Sequence, residues 1–466
     1  MELIPLAAKN RDAWDRFCRE SPDAWFWHTT DWLDYSLAYR PELQPRSFSF
    51  LCVEGPRILA AIPLQLTHHE ENSRKWKAFS LGGGFLPSPA LVGGLSPTER
   101  DDTLDFIFGA IDDLAEELDV SHSRFRTEVL RPAVREPRHA PYNFLLRHDY
   151  IDCSINTQLI DLRLSRNDLR AGLRRNHQRS IEKARKLFKI KIRSGPELTN
   201  VIFDQYVEMH ARAAKRRTRP RATFEMMRAW IQSGRGFFVE ALANDGKTAG
   251  FELYIVYKDA SYGLSACNEP DYKHLPIRHL IEWEAMMWMR DHGVQFYDIG
   301  AQHFGILPYA FPERKNLDIS HFKYGFGGAT VPFFHAERFH SSEHWQMERR
   351  LRDELFAQRY PWKPKSRSAH GRALLALLDR DDEPPAKPAN RPEESTPVPE
   401  ALLALAGTIL RDNPEAARQS ALGNARTLHF LVGQALRGSG SGQSPLLVRR
   451  AIEQRLAQIV AGNPQT

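Results

Sequence analysis

The chain has few cysteines, and their spacing excludes the usual thiol sites. Its 466 residues include four cysteines, none at metal or redox spacing. They are Cys18, Cys52, Cys153 and Cys267. Scattered cysteines are typical of reduced, buried thiols in a cytoplasmic protein, which is the location we expect. No apolar run is long enough to span a bilayer, and the first residues lack the basic-then-apolar pattern of a signal peptide.

Motifs for covalent or metal-assisted catalysis are also missing. The sequence has no G-x-S-x-G, no H-E-x-x-H and no C-x-x-C. The glycine run after Leu81 is followed by no lysine and lacks G-x-G-x-x-G spacing, so we predict a tight turn there rather than a phosphate cradle. We therefore expect no metal and no covalent nucleophile.

What is present is an ordinary globular composition, with 42% apolar and 26% charged residues. The length predicts two or three domains. The net charge of +6 favours an anionic partner, but this excess is modest, so its distribution is more informative than its sum.

The first third of the chain has the pattern of an α/β unit, which we place at residues 1–150. Apolar and aromatic residues recur at helical spacing over Arg11–Ser36 and Asp101–Leu118. Ser47–Val53 and Ile58–Leu66 have the pattern of two strands around a turn that contains glycine and proline.

Residues 151–345 have the pattern of a second α/β unit. The predicted order is a strand, several helices, a hairpin across Asn244-Asp245-Gly246, a further strand, the helix Pro276–His292 and a short strand at Gln295–Ile299. The stretch Asp318–Phe334 is predicted to close the sheet as a strand. This order predicts a mixed α/β sheet.

The end of the chain has a different composition. Prolines and charges dominate residues 346–397, which we predict to be a semi-rigid linker, disordered in part. Residues 398–466 have the pattern of a small all-α unit of three helices, the second of them interrupted by a glycine. A helical unit of this size without metal or disulfide often needs a partner surface.

A single lysine interrupts the apolar run of the closing stretch. Lys323 lies between Phe322 and Tyr324, and three glycines among the next five residues allow a sharp turn or a close backbone approach. A cation in this setting is well placed to meet a negative charge that develops during a reaction. The alternative is a surface lysine on an edge strand.

The sequence Phe-Lys-Tyr-Gly-Phe-Gly-Gly at 322–328 resembles the closing signature of Fem-type (FemAB-like) aminoacyltransferases, which build peptidoglycan cross-bridges from aminoacyl-tRNA. Their relatives in the GNAT acyltransferase superfamily share it. The resemblance implies tandem GNAT-like units over residues 1–345. It also implies catalytic roles for Phe322 and Lys323, the lysine neutralising charge at the ester or its tRNA end. No long heptad arm is visible in the second unit, which argues against a lipid-linked peptidoglycan acceptor.

The C-terminal unit carries a second resemblance. Asn413-Pro414, then Phe-Leu-Val-Gly-Gln at 430–434 and a glycine-rich loop followed by proline recur in the tail domain of GatB, a subunit of the tRNA-dependent amidotransferase, which also occurs alone as YqeY. In GatB this tail is associated with docking tRNA. The resemblance implies RNA contacts from Gly433, Gln434 and Arg437. The alternative is that the glycine permits close helix packing and the glutamine caps a helix or faces solvent.

A basic helix is predicted over Asp168–Phe188. Apolar residues form one stripe, and the remaining faces are nearly all cationic, whereas a solvated face usually mixes both signs of charge. We predict that this helix contacts RNA phosphates, with a charged solvent face as the alternative. The predicted RNA-binding residues are Arg170, Arg174, Arg175, Arg179, Lys183 and Lys186.

Other candidate site residues flank the signature. Asp298 ends a predicted strand, where it would orient the acceptor amine or take its proton; the alternative is a cap on the next turn. Arg219 belongs to a second basic cluster, whose guanidinium groups suit a phosphate or a carboxylate, of RNA or of an anionic acceptor. His303 is a weaker base candidate. We predict that Arg219, Tyr324 and His303 bind substrate.

Both resemblances imply tRNA as a ligand. The predicted function is aminoacyl-tRNA-dependent transfer of an aminoacyl group to a small-molecule, sugar or peptide amine, forming an amide with no cofactor. Two alternatives stay open: an acyl-CoA-dependent GNAT N-acyltransferase acting on an amino sugar, peptide or metabolite, and a catalytically idle tRNA-binding protein. Asp271–Pro276 lacks the glycines of the R-x-x-G-x-G/A loop that holds the CoA pyrophosphate in GNAT enzymes, which counts against CoA.

Overall fold

The computed structural model describes residues 1–71, 74–132, 142–304, 311–359, 397–422, 424–438 and 444–462. The chain divides into two compact units, residues 1–362 and 363–466. The first is mixed α/β and the second is helical where it is described, so the predicted fold class is confirmed. None of the helices that the structure describes has the length and apolar character to cross a lipid bilayer.

The α/β unit consists of short strands and helices in alternation. The strands are β1 Glu2–Pro5, β2 Arg46–Ser47, β3 Phe50–Glu54, β4 Arg57–Ile62, β5 Gln65–Glu71, β6 Arg74–Phe79, β7 Leu86–Pro87, β8 Ala90–Leu91, β9 Val120–Arg126, β10 Ile151–Asp152, β11 Ile155–Asp161, β12 Phe188–Ser194, β13 Gly236–Ala243, β14 Thr248–Tyr257, β15 Ala260–Asn268, β16 Phe296–Gln302, β17 Ala329–Phe333 and β18 His335–Phe339. The helices are α1 Arg11–Glu20, α2 Thr30–Tyr39, α3 Pro97–Glu117, α4 Arg166–Gly172, α5 Arg175–Arg185, α6 Asn200–Ala214, α7 Arg221–Gln232, α8 Ile277–Asp291, α9 Arg314–Tyr324 and α10 Ser342–Arg359.

The strands form three sheets. A four-stranded sheet has the order β1-β3-β4-β8, and a seven-stranded sheet has the order β10-β18-β9-β6-β5-β2, with β7 also paired to β9. The second seven-stranded sheet, called the central sheet below, has the order β12-β13-β14-β15-β16-β11-β17. Its one parallel pairing joins β15 to β16 over three positions, with α8 as the crossover helix.

Apolar layers cover both faces of the central sheet. Successive residues of β13 alternate, so that Phe237 packs with α5 and α8 while Phe238 packs with α6 and α7. Trp25 and Trp27, from the start of the chain, belong to the second of these layers. The N-terminal segment therefore helps to bury the central sheet.

The predicted closing strand is wrong over its first half. Residues Arg314–Tyr324 form helix α9, with Lys323 in its last turn, and only Ala329–Phe333 is a strand. A short run of apolar and aromatic residues does not distinguish a helix from a strand. The last two glycines of the signature have φ of +82° and +77°, a conformation that ends helices.

Strand β17 leads directly into β18, which belongs to the other seven-stranded sheet. Phe334 is the junction, and its carbonyl oxygen accepts the Thr127 N–H at 2.8 Å. Because β18 pairs with β9, the ends of the two sheets meet at this point. The predicted limits of the two units and of the linker stay predictions; the linker prediction starts inside α10, and residues 360–396 lie outside the described residues.

The predicted single basic helix is two helices, α4 and α5. Leu173 and Arg174, which lie between α4 and α5, both have ψ of 138°, so the backbone is extended at these two residues. The Arg174 N–H donates to the Gly325 carbonyl oxygen at 2.9 Å instead of continuing a helix. A contact with the turn after α9 therefore breaks the basic helix, which sequence periodicity does not reveal.

The C-terminal unit is built from short helices. They are α11 Glu400–Asp412, α12 Pro414–Ala421, α13 Ala425–Gly438 and α14 Pro445–Gly462. Leu402, Leu410, Leu431 and Ile452 are buried in its core. The second predicted helix is two helices, on either side of Gly423, which itself lies outside the described residues.

Candidate active site

Strand β16 carries a bulge beside a buried carboxylate. Its pairing with β11 shifts register between Gln158 and Leu159, which pair with Gly300 and Asp298. Gly300 has φ of +109°, which glycine adopts without strain. The Gly300 N–H donates to Asp298 Oδ1 at 2.8 Å, and the Thr157 hydroxyl donates to the same oxygen at 2.5 Å. Bulges often re-aim side chains beside active sites.

Lys323 reaches this bulge from helix α9. Its Nζ donates to the Ala301 carbonyl oxygen at 2.9 Å. A Cβ at Gly300 would lie 2.7 Å from that Nζ, so a glycine is needed to make room for the ammonium. Ser320 holds α9 against β16, because its Oγ accepts the His303 N–H at 2.8 Å. The structure thus brings Lys323 and Asp298 into one site.

The charges of Lys323 and Asp298 influence each other without cancelling. Burial lowers the pKa of Lys323, and the carboxylates Asp298, Glu282 and Glu252 oppose that shift. Burial raises the pKa of Asp298, opposed by the hydrogen bonds from Thr157 and Gly300 and by the charge of Lys323. The ammonium donates to a neutral carbonyl oxygen, so it can turn to a negative charge that develops in a reaction.

Glu128 is a candidate that the sequence analysis missed. It follows β9 and is 2% exposed, and its Oε2 is buried without a hydrogen-bond partner. Burial raises the pKa of Glu128 to about 7, Asp298 adds to this, and Arg126 opposes it. A buried carboxyl group with an unpaired oxygen is costly and is often functional. The sequence places Glu128 just after an alternating strand, a position that does not distinguish it from a surface glutamate.

Aromatic side chains and one guanidinium group line another part of the site. The Arg126 guanidinium lies over the rings of Trp27 and Phe333, at 5.5 and 5.6 Å from their centroids. Trp27 in turn contacts Tyr262 edge-on, at 5.4 Å. Burial and then the charge of Asp298 raise the pKa of Tyr262 to about 12, so its hydroxyl stays protonated. Groups from both seven-stranded sheets therefore meet here.

The neighbours of Lys323 in the signature face different ways. Phe322 packs against the apolar core, and its catalytic role stays a prediction. Tyr324 is 52% exposed, with the Arg174 guanidinium 5.7 Å from its ring centroid. His303 is largely exposed; its partial desolvation by nearby groups, and then the charge of Lys323, lower the pKa of His303. Tyr324 and His303 border the site on its solvent side.

Arg219 lies elsewhere, between α6 and α7. It donates to the Tyr35 hydroxyl at 2.9 Å, and its guanidinium lies 5.8 Å from the Tyr39 centroid and 5.3 Å from that of Phe224. A cavity of about 270 Å³ is lined by Arg219 with His210, Arg217 and Thr218. Among the described residues Arg219 makes no direct contact with Lys323, and its role in binding substrate stays a prediction.

Helix α5 presents a row of cations on one face. We call Arg175, Arg179, Lys183 and Lys186 the α5 stripe; all four are exposed and follow each other at intervals of three or four residues. The stripe is about 16 Å long. In the described chain none of its members forms an ion pair, whereas Arg170 binds Glu182 at 3.1 Å. Carboxylates of the described chain therefore leave the charge of the stripe unneutralised, and its contact with RNA phosphates stays a prediction.

The tail residues singled out by sequence lie on α13. Gly433 and Gln434 are half-buried and Arg437 is exposed. A Cβ at Gly433 would meet only the Arg437 guanidinium, at 4.0 Å, so close helix packing does not require this glycine. The RNA contacts of these three residues stay predictions.

Burial makes three of the four cysteines poor candidates for a nucleophile. Burial raises the pKa of Cys52 to about 11 and the pKa values of Cys153 and Cys267 to about 12, so these thiols stay protonated and are poor nucleophiles. No group of three or more His, Cys, Asp or Glu side chains in the described ranges is arranged to hold a metal ion.

Residues 170–309 match the family model described as an acetyltransferase (GNAT) domain. The match includes Tyr262, Asp298 and His303 and ends before Lys323. No curated protein matches the chain significantly.

Solved structures give a likeness over a longer stretch. The crystal structure of FemX is 12% identical, with 74% of this chain and 99% of that chain covered at a TM-score of 0.52. A tandem GNAT protein from the clavulanic acid biosynthesis pathway is 13% identical over 73% and 98%, with a TM-score of 0.41. L-PGS from Bacillus licheniformis is 9% identical over 70% and 94%, also at 0.41. The GatB/YqeY resemblance of the tail stays a prediction. Residues 170–309 are thus similar to a GNAT acetyltransferase domain, and the fold resembles that of FemX over 74% of the chain.

Proposed function

We propose that the protein transfers an aminoacyl group from aminoacyl-tRNA to an amine and forms an amide bond. The observation that carries the proposal is the position of the α5 stripe. Arg174, which precedes it, is hydrogen-bonded through its N–H to Gly325, two residues after Lys323. A polyanion lying along α5 would therefore have one end beside the lysine. Charged tRNA is made in the cytoplasm, so the proposal places the protein there.

In the proposed reaction the amine nitrogen attacks the ester carbonyl carbon. A C–N bond forms and the C–O bond to the tRNA ribose breaks. The amine loses one proton and the departing ribose oxygen gains one, so the step balances without a cofactor. Positioning of the reactants, removal of the amine proton and stabilisation of the oxyanion lower the barrier.

Three side chains of the site fit these tasks. The Lys323 ammonium donates to the oxyanion and then to the departing ribose oxygen. Glu128 is the general base, because a carboxyl group with a pKa of about 7 is about half ionised at neutral pH and is basic enough to take a proton. Asp298 holds the bulge and, by its charge, opposes the burial that lowers the pKa of Lys323.

The remaining predicted residues have places in this proposal. Tyr324 and His303 contact the substrates at the solvent side of the site. The Arg219 cavity takes a carboxylate or phosphate of a soluble amine, sugar or peptide acceptor. The C-terminal unit adds RNA contacts through Gly433, Gln434 and Arg437.

The second candidate function is acyl-CoA-dependent N-acylation of an amino sugar, peptide or metabolite. The match of residues 170–309 to a GNAT acetyltransferase domain favours it. The start of α8, where CoA-dependent GNAT enzymes hold the pyrophosphate, weighs against it. Pro276 is the N-cap there, and Arg278 is turned inward onto Glu252 and Glu282.

Transfer from charged tRNA is the decisive experiment. The protein is incubated at low salt with radiolabelled, aminoacylated total tRNA and a small-molecule cell extract, and a parallel sample receives acyl-CoA. We expect the label to move from RNA into an amide that mass spectrometry identifies. Label that stays on bound tRNA would establish an idle tRNA-binding protein. Consumption of the thioester with no response to tRNA would establish the CoA reaction.

A further inference from the structure

The inner face of helix α5 is built around one histidine. His177, Ile181 and Ala184 are buried, opposite the α5 stripe. His177 Nε2 lies 2.9 Å from the Phe322 carbonyl oxygen. A carbonyl oxygen only accepts, so Nε2 carries the hydrogen and donates it.

That carbonyl belongs to the last turn of α9, directly before Lys323. The final carbonyl groups of a helix lack the regular hydrogen bonds of its interior, and such turns fray unless other groups bind them. The Phe322 carbonyl oxygen accepts the Gly325 N–H at 3.1 Å, and a side chain from a different helix, His177 of α5, is its second and shorter partner. The Arg174 N–H donates to the Gly325 carbonyl oxygen and so binds the residues that follow this turn. The backbone also approaches α4 closely here, since a Cβ at Gly327 would lie 2.8 Å from the Gly172 carbonyl oxygen.

The contacts of His177 show whether this position uses the N–H of the ring or only its volume. The rings of His279 and Phe326 enclose it edge-on at 4.6 and 4.9 Å, and a Cβ on Gly325 would overlap its ring. Its Nδ1 is buried without a partner. An apolar ring would fill this space without that unsatisfied nitrogen. The hydrogen on Nε2 is the property of histidine that this position uses.

We propose that His177 is a positioning residue, whose Nε2–H holds the Phe322 carbonyl and thereby sets Lys323 Nζ at the Gly300 bulge. The hydrogen bond ties α5, which carries the outward-facing stripe, to α9, which carries Lys323. A donor bound along the stripe is thereby held at a fixed position relative to the ammonium. This inference rests on the proposed function only for the identity of the donor.

Three substitutions separate the donated hydrogen from the ring. His177→Gln keeps an N–H close to the place of Nε2, His177→Asn offers one only near the place of Nδ1, and His177→Phe keeps the ring alone. We expect kcat to fall about tenfold or more for His177→Asn and His177→Phe, with the KM for the donor within about twofold, and rescue to within about threefold by His177→Gln. Asn176→Ala, an exposed change on the same helix, is the matched control.

A double-mutant cycle shows whether the effect passes through Lys323. A residue that acts only by placing the lysine adds no further loss when Lys323 is already alanine. We therefore expect His177→Phe with Lys323→Ala to be no slower than Lys323→Ala alone. Additive losses, or equal activity of the glutamine and phenylalanine variants, would overturn the proposal.

Hydrogen exchange provides a readout that needs no donor. Loss of the His177 bond should speed amide exchange at Gly325, Phe326 and Gly327 in His177→Phe and not in His177→Gln, while α3 exchanges as in the wild type. Unchanged exchange in the phenylalanine variant would contradict the inference. If the wild type proves to use a thioester, the cycle is run with that donor, so failure of the tRNA proposal and failure of this one remain distinguishable.

Discussion

Lys323 is half-buried, and its ammonium donates a hydrogen bond to a neutral carbonyl oxygen. An ammonium has three N–H donors, and the Ala301 carbonyl oxygen accepts from one of them. A donor held in place before the reaction stabilises a developing oxyanion without reorganisation. The role of the residue therefore depends on this position rather than on its charge alone.

Lys323→Ala should lower the rate of aminoacyl transfer about a hundredfold, the usual order for loss of one oxyanion donor. Affinity for tRNA should stay within about twofold, because the α5 stripe supplies it. Single-turnover transfer and filter binding measure the two quantities. Lys315→Ala, an exposed change on the same helix, is the control. Equal turnover of Lys323→Ala and the wild type would remove this lysine from the mechanism.

Glu128 should determine how the rate depends on pH. A general base acts only when it is ionised, so the wild-type rate should rise with pH through about 7, the pKa of this carboxyl group. Glu128→Gln should be about a hundredfold slower at pH 8 and lose that rise. Rates measured from pH 5.5 to 8.5 test this. An unaltered profile in the variant would assign the base to another group.

The same substitution should stabilise the fold at high pH. The pKa of Glu128 is raised from 4.5 to about 7, so the folded state binds the proton more tightly and loses stability as pH rises through this interval. Because each pKa unit corresponds to about 1.4 kcal/mol, Glu128→Gln should gain up to about 3 kcal/mol at pH 8 and little at pH 4. Urea unfolding at both pH values measures it. A less stable variant at pH 8 would contradict the assigned burial.

At the scale of elements, the glycines of the signature form an interface between α9 and the α4–α5 pair. A Cβ at Gly325 would overlap His177, and one at Gly327 would press on Gly172. Both glycines were visible in the sequence as places for close approach. What they approach is set by helices that lie far from them along the chain.

The α5 stripe should determine the salt dependence of tRNA binding. Each phosphate contact contributes roughly 0.7 to 0.9 to the slope of log affinity against log salt. Replacing Arg179 and Lys183 together by alanine should therefore reduce that slope by about 1.5. The control is Arg185→Ala on the same helix, since Glu182 and Glu284 already engage that guanidinium. An unchanged slope in the double variant would restore the interpretation as a solvated face.

At the scale of the whole molecule, the site belongs to the larger unit alone. Asp298 and Lys323 come from the central sheet and α9, and Glu128 from the end of β9 in the other seven-stranded sheet. The crossing of the chain from β17 to β18 joins those sheets beside Thr127. Neither half of this unit contains the full set of groups.

A chain that ends after Trp362 should keep the chemistry and lose tRNA affinity. The larger unit contains all the groups assigned to catalysis, so transfer from a short aminoacylated RNA should stay within about threefold, as expected for independent units. Binding of whole tRNA should weaken at least about tenfold, as for loss of one linked binding module. Unchanged affinity would make the C-terminal unit a packing element.

Much of the architecture was predictable because it depends on local patterns. Periodicity predicted α8 and the β13–β14 hairpin. The Asn-Asp-Gly sequence predicted the turn that joins β13 to β14. The signature pointed to Lys323, and the cation run pointed to the α5 stripe. Glu128 was not found, because nothing near it in the sequence distinguishes it from a surface glutamate.

The amino-acid sequence by itself determined the order of elements, the basic character of α5 and the residue types of the signature, since neighbours along the chain set backbone preference and charge. Tertiary structure alone decided that Lys323 ends a helix, that His177 holds that helix, and that Glu128 is buried near Asp298. Burial and the electric field at a side chain come from groups distant in sequence, and these set the pKa values on which the chemistry depends.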